Sequence, residues 1–275
     1  MNNNKPTILV TNDDGINAPG LRTLIKVMRK IGNVVVVAPD RPRSGHGHAI
    51  TVSMPLRISS ITKSEGYLEY RCNGTPVDCV KIGTQIVLRR PPDLLVSGIN
   101  HGSNASINVV YSGTMAAAIE AAIDNIPAIG FSLTDYDINA DFSHAEEYVE
   151  QIAREVLEKG MPAGTCLNVN IPVNSEEGIQ GVMVCRQSPG YWKESFDERT
   201  DPHGRDYYWI TGVFSNPGHE EGTDSWALEH NYISVVPMQF DLTNYKAIPA
   251  FQDYNFSIAR NSRKVIPQVQ TDTNQ

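Results

Sequence analysis

The chain has 275 residues, is 40% hydrophobic and 20% charged, and carries a formal net charge of −8. That size and balance suit one large α/β domain or a core with a smaller attachment. The negative charge argues against a long nucleic-acid polymer as the main partner, but not against a small phosphate ester held by a cation and backbone amides.

Cys72, Cys79, Cys166 and Cys185 form no Cys-x-x-Cys pair, so they read as small core hydrophobes rather than zinc or redox ligands. Residues 1–6 are polar and no apolar run approaches membrane-spanning length, so a soluble, cytoplasmic protein is expected. The polar tail Gln268–Gln275 is expected to fray.

Ile8-Leu9-Val10 reads as a buried strand that stops at Asn12-Asp13-Asp14-Gly15. Ligands of open α/β sheets bind beyond the carboxyl ends of strands. Two adjacent carboxylates repel each other unless a cation sits beside them, and oxygen-only donors suit Mg²⁺ or Mn²⁺. Asp13 and Asp14 are therefore candidate metal ligands, although Asn, Asp and Gly also favour ordinary turns. Leu21, Leu24, Ile25, Met28 and Ile31 fall at helical spacing, Gly32-Asn33 ends that helix, and Val34–Val37 reads as a second strand. Strand, helix and strand within about thirty residues make a βαβ unit with parallel pairing.

The loop Arg41-Pro42-Arg43-Ser44-Gly45-His46-Gly47-His48 follows. Its arginines can grip phosphate and the Ser44 oxygen can ligate a hard cation. His46 and His48 read as surface residues rather than ligands. Ile58–Ile61 and Tyr67–Tyr70 flank the turn Ser64-Glu65-Gly66, as in a hairpin. Thr75-Pro76-Val77-Asp78 is a helix start, with Thr75 as cap, Pro76 at the first helical position and Asp78 complementing the dipole.

Leu94-Leu95-Val96 is a third strand, ending in Ser97-Gly98-Ile99-Asn100-His101-Gly102-Ser103-Asn104. If it neighbours the first strand, Asn100 completes the coordination begun by Asp13 and Asp14, and Asn104 can touch substrate. Tyr111-Ser112-Gly113-Thr114 leads into an Ala-rich helix whose N-terminus offers free N–H groups and two hydroxyls to a phosphate. Ile129–Ser132 and Cys166–Ile171 are further strands. Between them Ser143 and Glu146 have capping-box spacing for a helix to about Lys159. The alternation predicts a doubly wound, mostly parallel sheet with helices on both faces, over residues 1–172. Residues 173–275 read as a β-rich extension completing the fold and mediating oligomerisation. In it Tyr207–Ile210 and Ile233–Val236 are strands, and Asp224, Glu229 and His230 take surface and turn roles rather than forming a second metal cluster.

Together, in order, these motifs resemble the SurE family, the survival-protein E nucleotidases and acid phosphatases. The carrying residues are Thr11–Gly15, Ala18-Pro19-Gly20, Ala38-Pro39-Asp40 with Ser44-Gly45, Gly74-Thr75-Pro76 with Asp78-Cys79-Val80, Ser97–Asn100 with Gly102 and Asn104, and Tyr111–Thr114. Later matches are Gly222-Thr223-Asp224 with Trp226-Ala227, and Tyr232–Val235 with Pro237. The resemblance implies a Rossmann-like core and one divalent metal, Mg²⁺ or Mn²⁺, held by Asp13, Asp14, Ser44 and Asn100. It implies hydrolysis of nucleoside 5′- and 3′-monophosphates and sometimes of short polyphosphate. It also implies homodimers or homotetramers that exchange C-terminal segments, with no membrane partner. Two stretches depart from the family pattern: Ser106-Ile107-Asn108 stands where Gly-Asp-Asp is common, and His46-Gly47-His48 where small or amide residues are common.

The expected chemistry is metal-assisted phosphomonoester hydrolysis. One of Asp13 and Asp14 ligates the metal and the other accepts the proton of the attacking water. Asn12, Ser112, Gly113 and Thr114 neutralise the phosphoryl oxygens. A covalent aspartyl-phosphate route ranks lower, because a metal-bound carboxylate is a poorer nucleophile. The alternative is a non-catalytic nucleotide-binding regulator. A dinucleotide oxidoreductase fits the fold, but no G-x-G-x-x-G follows the first strand.

Overall fold

The structure, a computed structural model, describes residues 4–256 except 138, 176, 219, 253 and 255. In chain order the elements are β1 (Thr7–Thr11), α1 (Pro19–Ile31), β2 (Asn33–Pro39), β3 (Ile58–Ser64), β4 (Tyr67–Cys72), α2 (Pro76–Ile82), β5 (Leu94–His101), α3 (Asn108–Tyr111) and α4 (Gly113–Ile123). They continue as β6 (Ala128–Leu133), α5 (Glu146–Lys159), β7 (Thr165–Ile171), β8 (Gly181–Val184), β9 (Tyr191–Thr200), β10 (Asp206–Ser215), α6 (Asp224–Glu229), β11 (Tyr232–Gln239) and α7 (Ile248–Gln252).

Nine strands form one sheet in the order β3-β4-β2-β1-β5-β6-β7-β11-β8. The six strands from β4 to β7 in that order are mutually parallel, as βαβ crossovers require, while β3 and β11 pair antiparallel with β4 and β7. Strands β9 and β10 form a separate antiparallel ribbon, pairing Tyr191 with Ser215 and Thr200 with Asp206. The chain divides into two compact units, Met1–Phe240 and Asp241–Gln275. In the second, α7 is the one regular element among the described residues.

Successive side chains of a strand face opposite ways, so each central strand feeds two cores. Ile8, Val10, Val34, Val36, Leu94 and Val96 pack on one face with α1 (Leu21, Leu24, Met28) and α5 (Val149, Ala153). Leu9, Val35, Val37 and Leu95 pack on the other with α2 (Cys79, Val80) and α4 (Met115, Ala118). This is the expected architecture of an α/β sheet with helices on both faces, β1 and β5 lying side by side in its middle. All four cysteines are free and buried. No helix among the described residues is long and apolar enough to cross a membrane.

Thr75 caps α2 with a full capping box: its hydroxyl accepts from Asp78 N, and Asp78 Oδ2 accepts from Thr75 N. Two local expectations differ. Strand β5 runs on to His101, so Asn100 sits in the strand rather than in the loop beyond it. Ser143 does not form a capping box with Glu146. Residues Ser143–Ala145 are a 3₁₀ turn, Ser143 N donates to Asp141 Oδ1 at 2.9 Å, and no side chain caps α5 at Ala145. Asp141, two residues upstream, competes successfully for the same backbone donor.

Candidate functional site

Strand β1 lies between β2 and β5, which sets the loops after all three at one edge. Asp13 and Asp14 follow β1, Ser44 lies in the loop after β2, and Asn100 sits near the end of β5. The N-terminus of α4 closes over them. A Cβ added at Gly113 would stand 2.7 Å from the Asp13 Cβ, so only glycine lets this helix end approach so near. Asp13, Ser44, Asn100, Asn104 and Ser112 line one cavity of about 230 Å³.

Hydrogen bonds order these groups. Thr114 Oγ1 donates to Asp13 Oδ1 at 2.5 Å and lies 3.4 Å from Asn100 Oδ1, so one buried hydroxyl joins the two strands' oxygen donors. Asn100 Nδ2 donates to Gly102 O at 2.8 Å, which leaves its Oδ1 facing Thr114. His101 N donates to Asp14 Oδ2 at 3.2 Å, and the Ser44 side chain also bonds Asp14. Arg43 N donates to Asp13 O at 2.7 Å, tying the Ser44 loop to the acidic pair.

Burial pushes the Asp13 carboxyl up to about 6, and the neighbouring Asp14 charge adds to the rise. The Thr114 hydroxyl and the backbone N–H groups of Asp13 and Gly113 pull the other way. Burial also raises Asp14, against the pull of the His101 N–H and of Ser44. A bound cation would reverse this unfavourable pairing of charges. Among the described residues no three His, Cys, Asp or Glu side chains converge on a metal position. The donor set instead combines two carboxylates with an amide and a hydroxyl oxygen, and it fits a hard divalent cation. Asn12 Oδ1 on the same loop is buried without a hydrogen-bond partner.

Not every candidate residue faces the cavity. Asn12 is fully buried and its amide Nδ2 donates to Gly15 O at 3.0 Å, bracing the turn. Thr114 is also fully buried, its hydroxyl committed to Asp13. Ser112 caps α4 by accepting from Met115 N at 3.0 Å, and it keeps its own proton to donate into the cavity. Asn104 lines the cavity while its Nδ2 donates to Ser132 Oγ at 2.9 Å. The loop arginines turn away: Arg43 Nη2 donates to Asn73 O at 2.6 Å and Arg41 pairs with Asp40. His46 bonds the carbonyls of its own loop, and His48 bonds Glu120 Oε2 on α4 at 2.8 Å.

Asp224 is not a surface or turn residue. It is fully buried, accepting from Ser106 N at 2.8 Å, Ser188 N at 2.9 Å and Ser225 N at 2.8 Å. Three backbone donors satisfy it, and this outweighs the cost of burying a carboxylate. Ser106 takes the left-handed backbone region (φ 57°), and its hydroxyl donates to the carbonyls of Ser188 and Gly190 at the foot of the β9–β10 ribbon. Sequence reading missed two cavity walls, Tyr136 and Trp192. Tyr136 is a lone aromatic in a polar stretch, Trp192 follows Tyr191 at the start of β9, and no spacing marks either as a cavity wall.

An oxygen-lined acidic pocket at the carboxyl edge of a parallel sheet, under a helix N-terminus, defines an open α/β protein with a cavity where such sheets bind ligands. The family described as Survival protein SurE matches residues 8–194, and this chain belongs to the SurE family. A relative from Christiangramia forsetii, named 5′-nucleotidase SurE, is 57% identical over 259 residues, which cover 94% of this chain and 100% of that protein. One of the same name from Flavobacterium psychrophilum is 56% identical over 254 residues, covering 92% and 99%. The crystal structure of the Sure protein from Aquifex aeolicus superimposes with a TM-score of 0.78 at 40% identity, covering 90% of this chain and 98% of that one.

Proposed function

We propose that this chain is a divalent-metal-dependent 5′-nucleotidase that hydrolyses nucleoside 5′-monophosphates, and 3′-monophosphates and short polyphosphate as lesser substrates. The observation that carries the reading is the meeting of Asp13, Asn100, Ser44 and Ser112 on one cavity beneath the α4 N-terminus, with Asp14 bonded to Ser44 beside it. The shared name of the close relatives supports the nucleotide as substrate.

Asp13, Asp14, Ser44 and Asn100 would hold one Mg²⁺ or Mn²⁺. When bound, the cation supplies charge neutralisation for the phosphoryl oxygens and lowers the pKa of water. The protein's own groups do the rest. Ser112 and the first N–H groups of α4 donate to phosphoryl oxygens, and Asn104 borders the same space. Asn12 and Thr114 act by position, Asn12 bracing the acidic turn and Thr114 orienting Asp13. One of the Asp13–Asp14 pair takes the proton of the attacking water. The water oxygen bonds to phosphorus, the bond from phosphorus to the ester oxygen breaks, and the released nucleoside oxygen takes up the proton that the carboxylate accepted from water.

The residues after 172 complete the sheet, and we assign them the oligomer contacts as well. Phe196, Tyr208, Trp209, Ile210 and Val213 are exposed on the ribbon. A two-stranded ribbon is marginal alone, and such side chains suit a dimer or tetramer contact.

The test is phosphate release from nucleoside 5′- and 3′-monophosphates with Mn²⁺, Mg²⁺ or EDTA, alongside Asp14→Asn. Release that needs metal and disappears in the variant is expected. A folded, metal-loaded protein that releases none rejects the reading.

A further inference from the structure

Helix α1 carries Arg22, Lys26, Arg29 and Lys30 at helical spacing, so the four lie along one stripe. Together with Ile25 and with Tyr67 of β4, they line a cavity of about 500 Å³. That is within the range of roughly 300–1,000 Å³ usual for small-ligand sites. Every charged side chain in its wall is a cation, in a chain of net charge −8.

The cations are held from behind without being neutralised. Arg22 Nη1 donates to Glu69 Oε1 at 2.7 Å and its Nη2 to the carbonyl of Ile16. The Tyr67 hydroxyl donates to Glu69 Oε2 at 2.5 Å. These bonds fix both the Arg22 guanidinium and the tyrosine ring. Arg29 lies over that ring, 4.8 Å from its centroid, and enters no ion pair among the described residues. Lys26 and Lys30 share Glu146 on α5, and Lys30 also reaches Glu150, which Arg154 holds at 2.8 Å. Counting Arg154, five cations thus face the three carboxylates Glu69, Glu146 and Glu150. The Lys26 and Lys30 side chains are 64% and 46% exposed. Exposed ion pairs are weak, so both ammonium groups can turn to an anion of higher charge.

We propose that this cavity binds a small polyanion with two or three linked phosphates. From Arg22 to Lys30 the helix rises about 12 Å, so one phosphate meets only part of the stripe while a linked chain reaches all four cations. Arginine matches phosphate oxygens two at a time, and lysine supplies a point charge. Arg29 covers the Tyr67 ring, so the contacts serve phosphates rather than a base. The concave wall suits a small molecule, and the net charge of −8 disfavours a nucleic-acid polymer. No carboxylate lines the cavity, so the ligand is held there and not hydrolysed. The site stands independently of the nucleotidase reading.

The experiment is calorimetry of the full chain in EDTA, titrated with tripolyphosphate, ATP or inorganic phosphate. It compares the wild type with Asp14→Asn, Arg29→Ala/Lys30→Ala and Arg29→Lys/Lys30→Arg. Tripolyphosphate and ATP are expected to bind the wild type and Asp14→Asn alike, and more tightly than phosphate does. Removing both cations is expected to weaken tripolyphosphate binding about tenfold, while the charge-preserving variant keeps most of the affinity. Added NaCl weakens binding in the wild type. No tripolyphosphate binding by the wild type, or equal binding by the alanine variant, overturns the site. Binding that is lost in Asp14→Asn places the ligand in the acidic cavity and overturns it as well. Phosphate bound as tightly as tripolyphosphate rejects the linked-phosphate ligand.

Discussion

The Thr114 hydroxyl donates to Asp13 Oδ1 at 2.5 Å, joining the first turn of α4 to the tip of β1 between two fully or nearly fully buried side chains. The bond fixes which way the carboxylate points. A hydrogen bond to a buried charged group contributes about 1.5–3 kcal/mol, which corresponds to roughly 10–150-fold in rate if the whole of it is lost in the transition state. Thr114→Val is expected to lower kcat within that range on nucleoside monophosphates, and Thr114→Ser to stay near wild type. A Thr114→Val enzyme with undiminished kcat at saturating Mn²⁺ would show that the hydroxyl does not orient Asp13.

Metal binding to the Asp13–Asp14 pair should be visible as stability. A ligand present at about 100 times its dissociation constant stabilises the fold by about 2.7 kcal/mol. Mn²⁺ is expected to raise the melting temperature of the wild type, and EDTA to reverse the rise. Asp13→Asn removes one ligand charge, and Gly113→Ala drives a methyl to within 2.7 Å of the Asp13 Cβ. Both variants are expected to lose most of the Mn²⁺-induced shift. Equal shifts in all three proteins would place the cation elsewhere.

Glu120 on α4 provides a pH test away from the Asp13–Asp14 pair. Burial works to raise its carboxyl, but hydrogen bonds from Lys81 and His48, with their charges, outweigh burial and hold it below the ordinary 4.5. His48 reaches Glu120 from the Ser44 loop and Lys81 from α2. The folded state thus binds this proton less readily than the unfolded chain. Its stabilising effect is complete above the unfolded value near 4.5 and is lost as pH falls through the lowered folded value. Glu120→Gln is expected to cost about 1–2 kcal/mol at pH 7, because Lys81 and His48 lose a common partner. The difference from wild type should shrink in urea titrations toward pH 3. A difference independent of pH would mean that packing, not charge, holds this junction.

Asp224 accepts from three backbone N–H groups on separate segments, Ser106, Ser188 and Ser225. Asp224→Ala leaves these donors without their acceptor, at about 1–3 kcal/mol for each one that water cannot reach. The expected result is a lower urea midpoint and a looser ribbon, read as faster amide exchange in residues 188–192. Exchange there at the wild-type rate would show that Ser106 alone anchors the ribbon through its bonds to Ser188 and Gly190.

The sequence by itself determined the layered α/β core and marked Asp13, Asp14 and Asn100 as candidate oxygen donors, because both are written in short contiguous patterns. Short continuous apolar runs marked β1, β2 and β5, and helical spacing marked α1 and α5. Thr75 and Asp78 act within three residues of one another, so that cap was readable from spacing, whereas Ser112, read only as a phosphate donor, also caps α4 through Met115 N. Ser143 shows the limit of such reading, since Asp141 supplied a competing local acceptor. The tertiary structure alone decided which residues surround the Asp13 cavity and which anchor the ribbon beside it. Trp192 meets Asn108 across 84 positions, and Asp224 meets Ser106 across 118. The sheet order and the path of the ribbon create these contacts. A buried carboxylate such as Asp224 has the same letter as a solvated one, and only its three converging N–H donors tell the two apart.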